Sequence, residues 1–149
     1  MANNFVADDD VREIAEAYAL DAVDDALRNM NVKLDWSEAS IARVELILDE
    51  LHRSARVQKP PPKGVETVAK VFGSYIGEVF IQHHGGSWGL ISLGGQPLPG
   101  IRAAKHGHRF WPWVRTLKRL SDGPEENVLH YYLHLTGRLQ STKKSGSIP

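Results

Sequence analysis

The run Ala69-Lys70-Val71-Phe72-Gly73-Ser74-Tyr75-Ile76-Gly77-Glu78-Val79-Phe80-Ile81-Gln82-His83-His84-Gly85-Gly86-Ser87-Trp88 limits the folds open to this chain more than any other segment. Its apolar residues recur with the helical period, which predicts a helix over about Val65 to Gln82. Ala69, Gly73 and Gly77 fall four apart on one face of that helix. A glycine inside a helix costs about 1 kcal/mol against alanine, so close approach by another segment is needed to offset it. Val68, Val71, Phe72, Tyr75, Ile76, Val79 and Phe80 spread over a wide apolar arc, which predicts a helix with neighbours on several sides. Gly85 and Gly86 stop it, and Trp88 opens an extended run.

The flanking segments supply those neighbours. Val11, Ile14, Ala15, Tyr18, Ala22 and Ala26 predict a first helix from about Val11 to Arg28. Asp35-Trp36-Ser37-Glu38 reads as a capping box, opening a second helix to about Ser54 that buries Ile41, Val44, Leu48 and Leu51. Glu45 is expected in solvent at the edge of that stripe. Lys59-Pro60-Pro61-Pro62-Lys63-Gly64 is a stiff connection. Trp88–Leu93 and Ile101–Ala104 read as strands joined by a glycine-rich loop, with a third short strand through Phe110. Pro112 begins a short helix, and a last one carries Val128, Leu129, Tyr132, Leu133 and Leu135. The expected class is α+β, with about five helices around a central glycine-containing helix and a small antiparallel sheet of two or three strands. Residues 1–9 are expected to be a flexible N-terminus, 10–140 a single domain, and 141–149 a flexible tail.

Charge is unevenly distributed in a chain that is neutral overall. Residues 1–50 hold 13 acidic side chains against Arg12, Arg28, Lys33 and Arg43, whereas no acid occurs between Glu78 and Asp122. Either the acidic helices pack beside the basic segment and neutralise it, or the two remain on separate faces that attract partners of opposite charge. The chain has no cysteine, which excludes disulfides, thiolate zinc sites and cysteine nucleophiles. There is no export signal or membrane-length apolar run, so a cytoplasmic protein without membrane contact is expected.

Few constellations point to chemistry. Six of seven histidines fall in pairs, His83 with His84, His106 with His108, and His130 with His134. The last pair shares a helix face at i, i+4, yet no third ligand is evident, so no metal or other cofactor is expected. Glu78 lies in an apolar helix, where a carboxylate must be paired or have its pKa raised. Arg102, Arg109, Arg115 and Arg119 are the candidate partners. The segment Arg109-Phe110-Trp111-Pro112-Trp113-Val114-Arg115-Thr116-Leu117-Lys118-Arg119 interleaves aromatics and bases. Three roles are open to it: a grip on single-stranded nucleic acid over residues 102–119, a seal on the sheet, or a protein-binding patch. Overall neutrality argues against nucleic acid.

Phe72-Gly73-Ser74-Tyr75-Ile76-Gly77-Glu78-Val79 followed by Gly85-Gly86-Ser87-Trp88 resembles small uncharacterised bacterial proteins that carry an FGxYxGE helix, then GGxW and a short sheet. The resemblance covers about residues 65–120. It implies a bacterial origin and a compact α+β arrangement, and it transfers no catalytic residues. Stand-alone proteins of this type sometimes serve as immunity partners of toxins, an analogy of category.

No catalytic set is nominated. The function expected is that of a non-enzymatic protein-binding domain, an immunity or adaptor protein, whose binding residues are Glu78, Trp88, Arg109, Trp111, Trp113, Arg115 and Arg119. The alternative is a small enzyme or ligand-binding protein with a pocket around Glu78, drawing on Tyr75, His83 and Arg109.

Overall fold

Small residues on two helices set the packing distances of this domain, whose computed structural model describes residues 4–138 and the backbone of 147–148. Helix α1 (Asp9–Met30) buries Val11, Ala15, Ala19, Ala22 and Ala26, and this alanine stripe lets it lie closely along α3 (Pro62–His84). The Asp8 carboxylate caps α1 by accepting from the Val11 amide at 2.9 Å, and Asn31 ends the helix with a left-handed φ of 56°. Ile14, expected inside, is 48% exposed, because the buried stripe runs through Ala19 and leaves Ile14 to one side.

Helix α2 (Ser40–Gln58) buries Ile41, Val44, Ile47 and Leu48. The expected capping box is not formed. Asp35 accepts from the Ser37 amide at 3.2 Å and hydroxyl at 2.6 Å, Ser37 Oγ accepts from the Ser40 amide at 3.1 Å, and Glu38 turns away. Buried Tyr75 of α3 fixes this entry loop: its hydroxyl accepts from the Trp36 amide at 2.8 Å and lies 2.6 Å from Ser40 Oγ. Ser40 already donates to the Ser37 carbonyl, so Tyr75 donates to Ser40.

The fold is α+β, with five α-helices and a small sheet. The antiparallel strands β1 (Val6–Ala7), β2 (Gly86–Leu93), β3 (Gln96–Ala103) and β4 (Arg109–Phe110) lie in sequence order. A parallel two-residue strand, β5 (Ser147–Ile148), lies beside β4. The sheet therefore exceeds the two or three strands expected. The extra strands are two residues long, too short for alternation to announce them, and Val6–Ala7 pairs within a stretch expected to be loose. The rest of the expected C-terminal tail lies outside the described residues.

Gln96–Gly100, expected as loop, belongs to β3. Gly94 and Gly95, both with positive φ, close a two-residue hairpin turn at the Leu93–Gln96 pair. Antiparallel rungs alternate between hydrogen-bonded and non-bonded, which puts Pro97 opposite Ser92 and Pro99 opposite Leu90 on non-bonded rungs. Their missing amides face the other edge of β3, where β4 reaches only Ile101 and Arg102.

Helices α4 (Pro112–Asp122) and α5 (Val128–Leu135), linked by a 3₁₀ turn at Pro124–Glu126, complete the domain. The first turn of α4 meets α3 at Gly73, where an added Cβ would lie 2.8 Å from the Pro112 carbonyl oxygen. At Gly77 a Cβ would lie 2.5 Å from the Trp88 ring. The two glycines thus admit α4 on one side and a sheet tryptophan on the other.

Candidate functional site

The residues singled out in the sequence fall into separate small networks, several of them internal. Glu78 is half-buried and accepts from the Trp88 indole N–H at 2.7 Å. Burial raises its pKa, with the Trp88 hydrogen bond opposing. Among the described residues no hydrogen bond or ion pair from an arginine to Glu78 is seen, contrary to expectation: β2 brings Trp88 over this turn of α3, and Arg12 acts on the carboxylate only at a distance. Trp88 and Trp111 are 3% and 1% exposed, so neither ring is available at the surface; the Trp111 indole donates to the Ile91 carbonyl at 3.2 Å. Trp113 is half-buried, donates to Ser74 Oγ at 2.8 Å, and packs its ring 6.0 Å from Trp88 and 6.3 Å from Tyr18.

Arg119 is 1% exposed and forms the principal buried ion network. Its Nε donates to Glu45 at 2.9 Å and its Nη2 to Asp49 at 2.7 Å, while Glu45 also accepts the Val128 amide at 2.9 Å. Glu45 is thus no solvated edge residue; it ties α2 to α4 and to the start of α5. Burial would lower the Arg119 pKa, but the two carboxylates outweigh it and hold the guanidinium charged. Arg115 pairs with Glu126 at 2.5 Å and covers the ring of buried Tyr131, its guanidinium carbon 4.4 Å from the ring centre. Arg109 sits half-buried on β4. Arg102 extends over the Phe5 ring. The basic and aromatic segment therefore does not gather on one open patch.

Glu38, which the sequence offered only as a capping-box residue, is the second polar node. Its carboxylate accepts from Tyr132 at 2.5 Å, from His84 Nε2 at 2.6 Å and from Arg138. Burial pushes its pKa up, but these three hydrogen bonds prevail and bring it down to about 2. His84 also borders a cleft of about 420 Å³ lined with Phe80, Lys105, His106 and His108. Burial lowers the His108 pKa, and His106 adds to the effect. His83 instead donates to the Trp36 carbonyl at 3.0 Å. Among the described residues no group of three histidine or acidic side chains is placed to hold a metal ion.

The third feature is a flank of α1 beside its buried alanine stripe. Leu20, Val23, Leu27 and Met30 follow one another at steps of three and four, forming a row along the helix. Leu20 is 63% and Leu27 55% exposed, while Val23 and Met30 are partly buried at its inner edge. At the Met30 end the row runs into a cleft of about 470 Å³, lined by Met30, Val32, Leu46 and Ile47 with Lys33, Arg43 and Glu50 among the polar residues. Leu46, on α2, is 70% exposed. No sequence reading marked this row, because the stronger alanine stripe on α1 explained the helix by itself.

Helix α1 also carries seven acids against Arg12 and Arg28. Arg12 pairs with Asp9, Glu13 and Glu16, and Arg28 with Asp24. Asp10 and Asp21 have no basic partner among the described residues. The uneven charge of the sequence is thus resolved in two ways: α2 neutralises basic residues within the fold, and α1 keeps its negative charge in solvent.

No protein-family model, curated protein or solved structure matches this chain. No helix among the described residues is long and apolar enough to cross a membrane.

Proposed function

We propose that this protein is a non-enzymatic protein-binding domain and that the outer side of α1, with the adjoining lip of α2, is its binding face. The observation that carries this reading is the alignment of Leu20 and Leu27 with Met30 and Leu46 at the mouth of a cleft. Single exposed leucines are ordinary on a protein surface, but a row of them leading into an apolar recess is the form of an interaction patch. An immunity or adaptor role in a bacterial cytoplasm, with another protein as partner and no cofactor, is the finer form of this proposal and follows the resemblance of residues 65–120.

The location differs from that expected of the sequence. Trp88, Trp111 and Arg119 are spent inside the fold, and Arg115 is held by Glu126, which weakens both an aromatic patch and a single-strand nucleic-acid groove over 102–119. Glu78 lines neither cleft described above, which weakens a pocket built around it.

Photo-crosslinking tests the reading. A benzophenone side chain placed at Leu20, Leu27 or Leu46 is expected to give one adduct of common mass in a bacterial lysate. The same group at Val57, 82% exposed at the end of α2, is expected to give none. No adduct, or equal labelling from Val57, would overturn the proposal.

A further inference from the structure

Resting on that reading, we infer that the partner element seated on α1 is an amphipathic helix with an apolar stripe at one end and lysines or arginines at the other. Leu20 to Met30 is ten helical steps, a row about 15 Å long at the helical rise, matching about three turns of an opposing helix. Apolar residues at i, i+3, i+7 and i+10 are the pattern by which one helix packs its side chains between those of another. The cleft beside Leu46 and Ile47 extends the row sideways and gives a large side chain of the partner a recess to fill.

Charge fixes the other end. Toward its N-terminus the same side of α1 presents Asp9, Glu13 and Glu16, and Asp24 flanks the leucines. Arg12 and Arg28 are each already engaged by these carboxylates. The face therefore complements a cationic helix. A second copy of this chain laid parallel on it is disfavoured, because two α1 faces in that arrangement would oppose acid to acid.

The probe is a synthetic peptide of about 18 residues, helical by composition, with leucines at i, i+3, i+7 and i+10 and lysines beyond them. Fluorescence anisotropy with the full chain is expected to give saturable binding that weakens with salt. Leu27→Glu and Leu46→Glu are each expected to weaken it at least about tenfold, and Val57→Glu to leave it unchanged. All three positions are exposed, so unchanged circular dichroism and melting identify the effects as local. A peptide with glutamates for lysines, or with its leucines scattered, is expected to bind at least about tenfold more weakly.

Equal binding of the scattered peptide, indifference to Leu27→Glu, or no binding would overturn the inference. So would a dimer in sedimentation that Leu27→Glu dissolves, since the occupant would then be a second copy. Crosslinked protein adducts at Leu20 and Leu27 together with a silent peptide would leave the protein-binding face standing and remove only its helical, cationic occupant. Loss of both would remove the face as well.

Discussion

Arg119 places a fixed positive charge where almost no water reaches, and two carboxylates of α2 make that tolerable. A buried ion pair adds little over apolar packing, but removing one member strands the other. Arg119→Ala leaves Glu45 and Asp49 facing each other across a void, and is expected to cost about 3–5 kcal/mol in urea unfolding. Arg119→Lys keeps the charge but loses the fork that reaches both carboxylates, and should fall between the variant and the parent. The sequence offered Arg119 as a partner for Glu78, and that pairing does not occur. Helical spacing places a residue on a face of its own helix; it does not say which turn of another helix will lie opposite. Glu78 is instead satisfied by Trp88, ten residues further along, which the hairpin folds back over α3.

Among the elements, α3 shows how one residue type takes opposite values in one helix. Gly73 faces the Pro112 carbonyl, a backbone atom that cannot rotate away, so Gly73→Ala is expected to push α4 outward and cost about 1–3 kcal/mol. Gly64, in the first turn of the same helix, has open space around it and no positive φ. Gly64→Ala is expected to stabilise by up to about 1 kcal/mol through propensity alone. Thermal melts of the two variants should move in opposite directions; a shared direction would show that propensity, not approach, governs the glycines of α3. The close spacing of Ala69, Gly73 and Gly77 was legible in the sequence, as was the run of α3 itself. The partner at each glycine was not, because a small residue records that something comes near without recording what. Strand β3 was legible only in part, since Pro97 and Pro99 are acceptable only on the rungs that the hairpin register assigns them.

Across the whole molecule, Glu38 joins parts distant in the chain: the approach to α2, the end of α3 at His84, Tyr132 of α5 and Arg138 beyond it. Its pKa falls from an ordinary 4.5 to about 2 in the fold. The stability it contributes is therefore fully present above pH 4.5 and lost as pH falls through about 2. With allowance for its partial exposure, that contribution is on the order of 2 kcal/mol. Urea midpoints measured between about pH 2 and 5 should fall steeply for the parent and less so for Glu38→Gln. Equal slopes would mean that the node does not hold α5 in place.

What the sequence by itself determined is the inventory of local elements: about five helices, two strands joined by a glycine-rich connection, a class that mixes helix with sheet, and a charge balance that differs between its two ends. Those follow from interactions within a few residues, and period, proline and glycine record them directly. Only the tertiary structure decided that Trp111 and Arg119 go inward, that Glu38 and Glu45 become the polar anchors, and that the leucines of α1 stay in solvent. Each of those outcomes depends on which residues distant in the chain arrive at the same place, and a carboxylate or leucine carries no mark of the neighbour it will meet.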